Sequence, residues 1–112
     1  MQIPLQITYR GLERSAALDD AIREKAAKLE QLHHGLISCR VVIEQSGQHK
    51  HQGREFTVHL DVKAPGAEFA VTHDHDEDAF VAVRDAFAAM KRRVESHAQR
   101  QHGEVKRHAP RG

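Results

Sequence analysis

Three stretches of this chain alternate apolar and polar residues with a period of two, and each of them has one wet face. Ile3, Leu5, Ile7 and Tyr9 alternate with Gln2, Pro4, Gln6 and Thr8. Cys39, Val41 and Ile43 alternate with Arg40, Val42 and Glu44, and Phe56, Val58, Leu60 and Val62 with Thr57, His59, Asp61 and Lys63. This is the period of half-buried strands. A sheet that is apolar on one side must be covered on that side, so any helices have to share it. Pro4 cannot donate to a ladder and favours an edge position for the first strand.

Between the first two strands, Ser15 can cap a helix over about residues 16 to 33, with Asp19 and Asp20 in its first turn and Gly35 after its end. Its apolar stripe is Leu18, Ile22, Ala26, Leu29 and Leu32. The segment SGQHKHQG joins the second and third strands. Ala64-Pro65-Gly66 then turns into a short fourth strand at about Glu68 to Thr72. A last helix runs from about Glu77 to beyond Arg100, with Phe80, Val83, Phe87, Met90 and Val94 as its stripe.

The strand, helix, strand crossover makes the first two strands parallel if they are neighbours, and the short later connections make the others antiparallel. The expected fold is α+β: a two-layer β-α-β-β-β-α arrangement, a four-stranded mixed sheet with both helices on one face. At 112 residues there is room for one domain. Residues 1–102 are read as that domain and 103–112 as a basic tail without fixed structure.

Several function classes find no support. The N-terminus has neither a basic lead nor a continuous apolar run, and no stretch is apolar enough to span a bilayer, so a cytoplasmic protein is expected. Cys39 is the single cysteine and faces the core, where a thiol is inert. No Gly-rich phosphate loop and no Gly-x-Ser-x-Gly elbow appear, so neither an enzyme nor a cofactor is expected. Ten histidines, among them His49, His51, His73 and His75, invite a metal, but no i,i+4 pair on a helix and no Cys-x-x-Cys supports one. Asp74, Asp76, Glu77 and Asp78 suit a helix N-terminus instead. Aromatics are 4% of residues, and Phe56 and Phe69 fall on core-facing positions, which argues against stacking single-stranded bases on the sheet.

A formal net charge of +1 hides a strong asymmetry along the chain. From Lys91 onward, Lys91, Arg92, Arg93, Arg100, Lys106, Arg107 and Arg111 stand against Glu95 and Glu104 alone. Roughly opposite the apolar stripe of the last helix lie Ala89, Arg92, Arg93, Ser96 and Arg100, three guanidiniums with no carboxylate and two small residues that leave room for a partner. Solvated helix faces usually interleave both signs, whereas unpaired guanidiniums suit phosphate. Lys25 and Lys28 border the stripe of the first helix and extend the strip into a wider patch. The charges alone leave RNA, DNA and an idle basic surface open.

The stretch AIREKAAKLEQL on the first helix, centred on Ala27-Lys28-Leu29-Glu30, and the start of the second helix at His75, Glu77, Asp78, Ala79 and Phe80 resemble the short ribosome hibernation promoting factors. These are also called ribosome-associated inhibitor or sigma-54 modulation proteins. The resemblance runs from about Met1 to about Arg100. It implies a fold reminiscent of double-stranded RNA-binding domains that docks on the small ribosomal subunit, monomeric off the ribosome, and blocks the channel for messenger and transfer RNA. It also implies rRNA contacts at Lys25, Lys28 and Arg92; Lys91, Arg93 and Arg100 join them on charge geometry. Phe80 stands where the family has tyrosine. No long linker or extra domain for pairing ribosomes is seen, so a second hibernation factor is expected to be needed for that. Two other readings are a protein-interaction regulator of a sigma factor, using Arg40, Thr57, His59, Asp61 and Lys63, and a metal-dependent hydrolase at His73, Asp74 and His75.

Overall fold

The computed structural model describes residues 4–45, 55–75 and 78–108. In chain order these form β1 (Leu5–Arg10), α1 (Ala16–Leu32), β2 (Ser38–Gln45), β3 (Phe56–Ala64), β4 (Ala67–His75) and α2 (Ala79–His108). The sheet order is β1-β2-β3-β4, with β1 and β2 parallel and the other pairs antiparallel. The expected α+β, two-layer architecture is thus the one observed. SGQHKHQG, with His49 and His51, lies outside the described residues.

The apolar face of every strand points the same way. Cys39, Val41, Ile43, Phe56, Val58, Leu60, Val62, Phe69 and Val71 pack in one core with Leu18, Ile22, Ala26 and Leu29 of α1 and Val83, Phe87, Met90 and Val94 of α2. Burial of the Cys39 thiol pushes it up to about 12, which keeps it protonated and inert.

Local chemistry sets the helix boundaries. The Ser15 hydroxyl accepts from Leu18 N–H at 3.1 Å and caps α1. Asp78 caps α2, its Oδ1 accepting from Phe80 N–H at 2.9 Å and Val81 N–H at 3.4 Å, so the helix starts after the acidic run rather than at Glu77. At its other end α2 continues through His108, into the stretch the sequence reading set apart as a tail.

Three side-chain or boundary expectations are corrected. Phe80 is 47% exposed and Leu32 54% exposed, because each lies at a helix end; Ala82 and Ala86 are buried on α2, and Leu36, beyond the end of α1, is buried in the core. β4 is nine residues long rather than the short Glu68 to Thr72 strand. The ladder to β3 runs on through the pairs Val58–His73, Thr57–Asp74 and Phe56–His75, and His73 Nε2 lies 3.3 Å from Asp85 Oδ2 of α2.

Two contacts fix the β1–α1 corner. Gly11 has φ +78°, and a Cβ there would sit 2.5 Å from the Gln45 carbonyl oxygen. Gly11→Ala should therefore cost roughly 1–3 kcal/mol in a denaturant titration, from left-handed backbone strain plus a backbone clash. Next to it, the Tyr9 hydroxyl donates to Asp19 Oδ1 at 2.7 Å, and Arg14 Nε donates to Asp19 Oδ2 at 3.0 Å. Burial, then the bond to Asp19, pushes Tyr9 from 10.0 up to about 12, while the bonds from Tyr9 and Arg14 hold Asp19 below its usual 3.8.

The folded state holds the Tyr9 proton more tightly than the unfolded chain does. That contribution is full below pH 10 and is lost as pH rises toward 12. The Asp19 contribution is present above 3.8 and lost as pH falls below it. Tyr9→Phe should cost about 1 kcal/mol near neutrality and remove the Tyr9 share of the alkaline loss, leaving the share that comes from the buried Cys39 thiol, read as the denaturant midpoint against pH.

Candidate nucleic-acid interface

The topology makes the two helices run in the same direction. α1 returns antiparallel to β1, β4 runs the same way as β2, and α2 in turn returns antiparallel to β4. Their adjacent flanks enclose a groove of about 240 Å³. Leu29, Leu32, Phe87 and Ala88 line its apolar part, and Lys25, Lys28, Arg84 and Lys91 supply the cations. No carboxylate lines it. Lys25 is half-buried, with its stem against the core edge, and Lys28, Arg84 and Lys91 are exposed.

The structure divides what the helix wheel drew as one strip. Ala89, Arg92, Arg93, Ser96 and Arg100 lie along the other flank of α2, where a second groove of about 570 Å³ separates the helix from the free edge of β4. Lys25 and Lys28 therefore extend a surface with Lys91 and Arg84, not with Arg93 and Arg100. Arg93 is also not free: its Nη1 donates to the Ala70 carbonyl at 2.8 Å. Arg92, exposed on α2, lines this second groove together with Arg93 and Arg100.

Arg84 was missed by the sequence reading. Its signal was a spacing of seven from Lys91, which places both on the same flank of a helix. Its Nε donates to the neighbouring Asp85 Oδ1 at 3.0 Å, and that contact, with His73 beyond it, holds the Asp85 carboxyl below the usual range.

Charge pairing differs sharply between the two sides of the molecule. Across the outer face of the sheet, Arg10 pairs with Glu44 at 3.8 Å, His59 with Glu44 at 3.0 Å, Arg40 with Asp61 at 3.7 Å and Lys63 with Glu68 at 3.5 Å. Among the described residues, Lys25, Lys28, Lys91, Arg92 and Arg100 have no ion pair. The sheet face pairs its charges, whereas on the helical side these five cations are left open and Arg84 is held by its neighbour Asp85.

Other candidates fare less well. His73 and Asp74 are consecutive on a strand and so point to opposite faces, which keeps these two from converging on one ion. Among the described residues no three His, Cys, Asp or Glu side chains group as metal ligands, and no helix is long and apolar enough to cross a membrane.

A two-layer α+β domain with an open basic helical layer is the class these features define. The chain belongs to the sigma 54 modulation protein / S30EA ribosomal protein family, whose model matches residues 5–102. That is the family expected from the two helix motifs. The fold is similar to a ribosomal subunit interface protein from Coxiella burnetii, at 15% identity and a TM-score of 0.73, covering 87% of this chain and 99% of that one. It is also similar to the N-terminal domain of Protein Y from Thermus thermophilus, at 22% identity and a TM-score of 0.70, covering 82% of this chain and 94% of that one. No curated protein sequence matches this chain.

Proposed function

We propose that this chain is a ribosome hibernation factor, cytoplasmic and ribosome-associated, that docks on the small ribosomal subunit by its helical side. There it occupies the channel for messenger and transfer RNA and inhibits translation in stationary phase or stress, by occlusion and without chemistry. The observation that carries this reading is the contrast in pairing: Lys25, Lys28, Lys91 and Arg92 without an ion pair on α1 and α2, against ion pairs across the outer sheet face. Family membership supplies the ribosome as the partner.

Lys25, Lys28, Lys91 and Arg92 are the proposed rRNA-binding residues, with Arg84 added by its place in the groove. Ammonium and guanidinium groups on two parallel helices can follow phosphates on either side of a groove, and each phosphate neutralised releases counterions. Structured RNA read by shape and phosphates needs no exposed aromatic sheet. Arg92 lines the groove beside β4 together with Arg93 and Arg100; it stays in the rRNA set because the family resemblance points to it, whereas Arg93 and Arg100 rest on charge geometry alone and are left to that groove.

The test is sedimentation of the purified chain with purified small subunits at low salt, followed by challenge with a messenger RNA fragment and initiator transfer RNA. The chain should travel with the subunit, be displaced by the challenge and inhibit translation in a reconstituted system. A chain that stays at the top of the gradient contradicts the proposal.

A further inference from the structure

The free edge of β4 is the least protected feature of the fold. Ile37 N–H donates to the Lys63 carbonyl on the β2 side of β3. By alternation Val58, Leu60 and Val62 turn their backbone groups toward β4, where they meet His73, Val71 and Phe69. Glu68, Ala70, Thr72 and Asp74 must then point both N–H and C=O outward, and the Arg93 bond to the Ala70 carbonyl shows the same sense independently.

Natural edge strands are blunted by shortness, proline, lysine or bulges. β1 is six residues long and follows Pro4, whereas β4 is nine residues, AEFAVTHDH, without proline or lysine and with an unbroken register to β3. Among the described residues, Arg93 is the one side chain that covers an outward backbone group of this edge.

We propose that the groove between β4 and α2 receives an extended acidic peptide segment as a fifth strand. Backbone complementarity selects a strand over a nucleic-acid phosphate: phosphate can only accept, and it would face outward carbonyls of the same sign, whereas a strand offers donors and acceptors alternately. Charge selects an acidic one, since Arg92, Arg93 and Arg100 line the groove and no carboxylate does. Ala89 and Ser96 leave room for the added side chains.

Arg93 and Arg100 are two turns apart on α2, about 10 Å. Alternate residues of a strand are about 7 Å apart, so carboxylates two to four positions apart reach both guanidiniums. On arrival of the strand, the Arg93 guanidinium passes from the Ala70 carbonyl to a peptide carboxylate and frees that carbonyl for the ladder. A second copy of β4 would bring the same three arginines against each other, which disfavours self-pairing.

The probe is a synthetic peptide of five glutamate-valine repeats with blocked ends, titrated into the isotope-labelled full chain and followed by amide NMR. Saturable binding should shift the Ala70 and Thr72 amides and slow their exchange with solvent. Thr72→Pro deletes one outward N–H that the β3 ladder does not use, at a position where edge strands tolerate proline. It should weaken the peptide at least about tenfold, as should N-methylation of alternate peptide residues, each removing one or two backbone bonds. Glutamine in place of glutamate, and the Arg93→Ala/Arg100→Ala pair, should weaken it similarly. Thr72→Pro should leave sedimentation with small subunits intact, which separates this site from the rRNA surface. Equal binding of the N-methylated peptide, the same amide protection by oligouridylate, or a dimer of the free chain closed through β4 would overturn the proposal.

Discussion

With Lys25, Lys28, Lys91 and Arg92 all replaced by glutamate, the chain should no longer travel with small ribosomal subunits, while its unfolding transition stays close to that of the unchanged protein. None of the four has an ion pair, so their loss leaves no buried group stranded. Lys28, Lys91 and Arg92 are exposed and Lys25 is half-buried, and substitutions at such surface positions usually change stability by no more than about 0.5 kcal/mol each. Binding is different. A charge pair at contact distance in water is worth about 1 kcal/mol and reversal turns attraction into repulsion, so four reversals should weaken binding by roughly a thousandfold or more, even after screening. Gradient sedimentation read beside a thermal melt separates these two effects.

The largest stability effect is expected from Leu60→Ala. Leu60 is fully buried on β3, paired across the sheet with Val41 of β2 and Val71 of β4, in the core under both helices. Truncating a leucine at such a site costs about 2–5 kcal/mol, combining lost transfer energy with the cavity left behind. For a domain of this size that lowers the melting midpoint by roughly 10–25 °C. Phe80→Ala is the contrast: the side chain is about half exposed, and its truncation should move the midpoint little.

Most of the fold was legible because strand alternation reports directly which side of a sheet is covered. From Cys39 to Val62 the alternation named the buried residues and on β1 it named residues half-buried against the same core, and one wet face per strand forced both helices onto the same side. Where the pattern was carried to a helix end it failed, since Leu32 and Phe80 have the right wheel angle but lie at the ends of their helices. β4 was underestimated because its last residues, His73, Asp74 and His75, read as part of the acidic start of α2, and nothing in their order reveals that His73 meets Asp85.

The basic residues themselves were legible, but their division was not. A helix wheel gives angles about an axis and no information on where the sheet ends. It could not show that Lys91 faces α1 while Arg93 and Arg100 face the free edge of β4. Nor could it reveal the Arg93 bond to Ala70, which depends on a strand 23 positions earlier in the chain. Arg84 became visible only when the flank of α2 toward α1 was known.

The claim that the helical side meets rRNA is tested most directly by photocrosslinking. One benzophenone side chain replaces Ala88, in the groove between α1 and α2, and in a second variant Arg40, on the outer face of the sheet. On purified small subunits, the probe at Ala88 should crosslink to rRNA and the probe at Arg40 should give little or none. Crosslinks to rRNA from Arg40 with none from Ala88 would contradict the account.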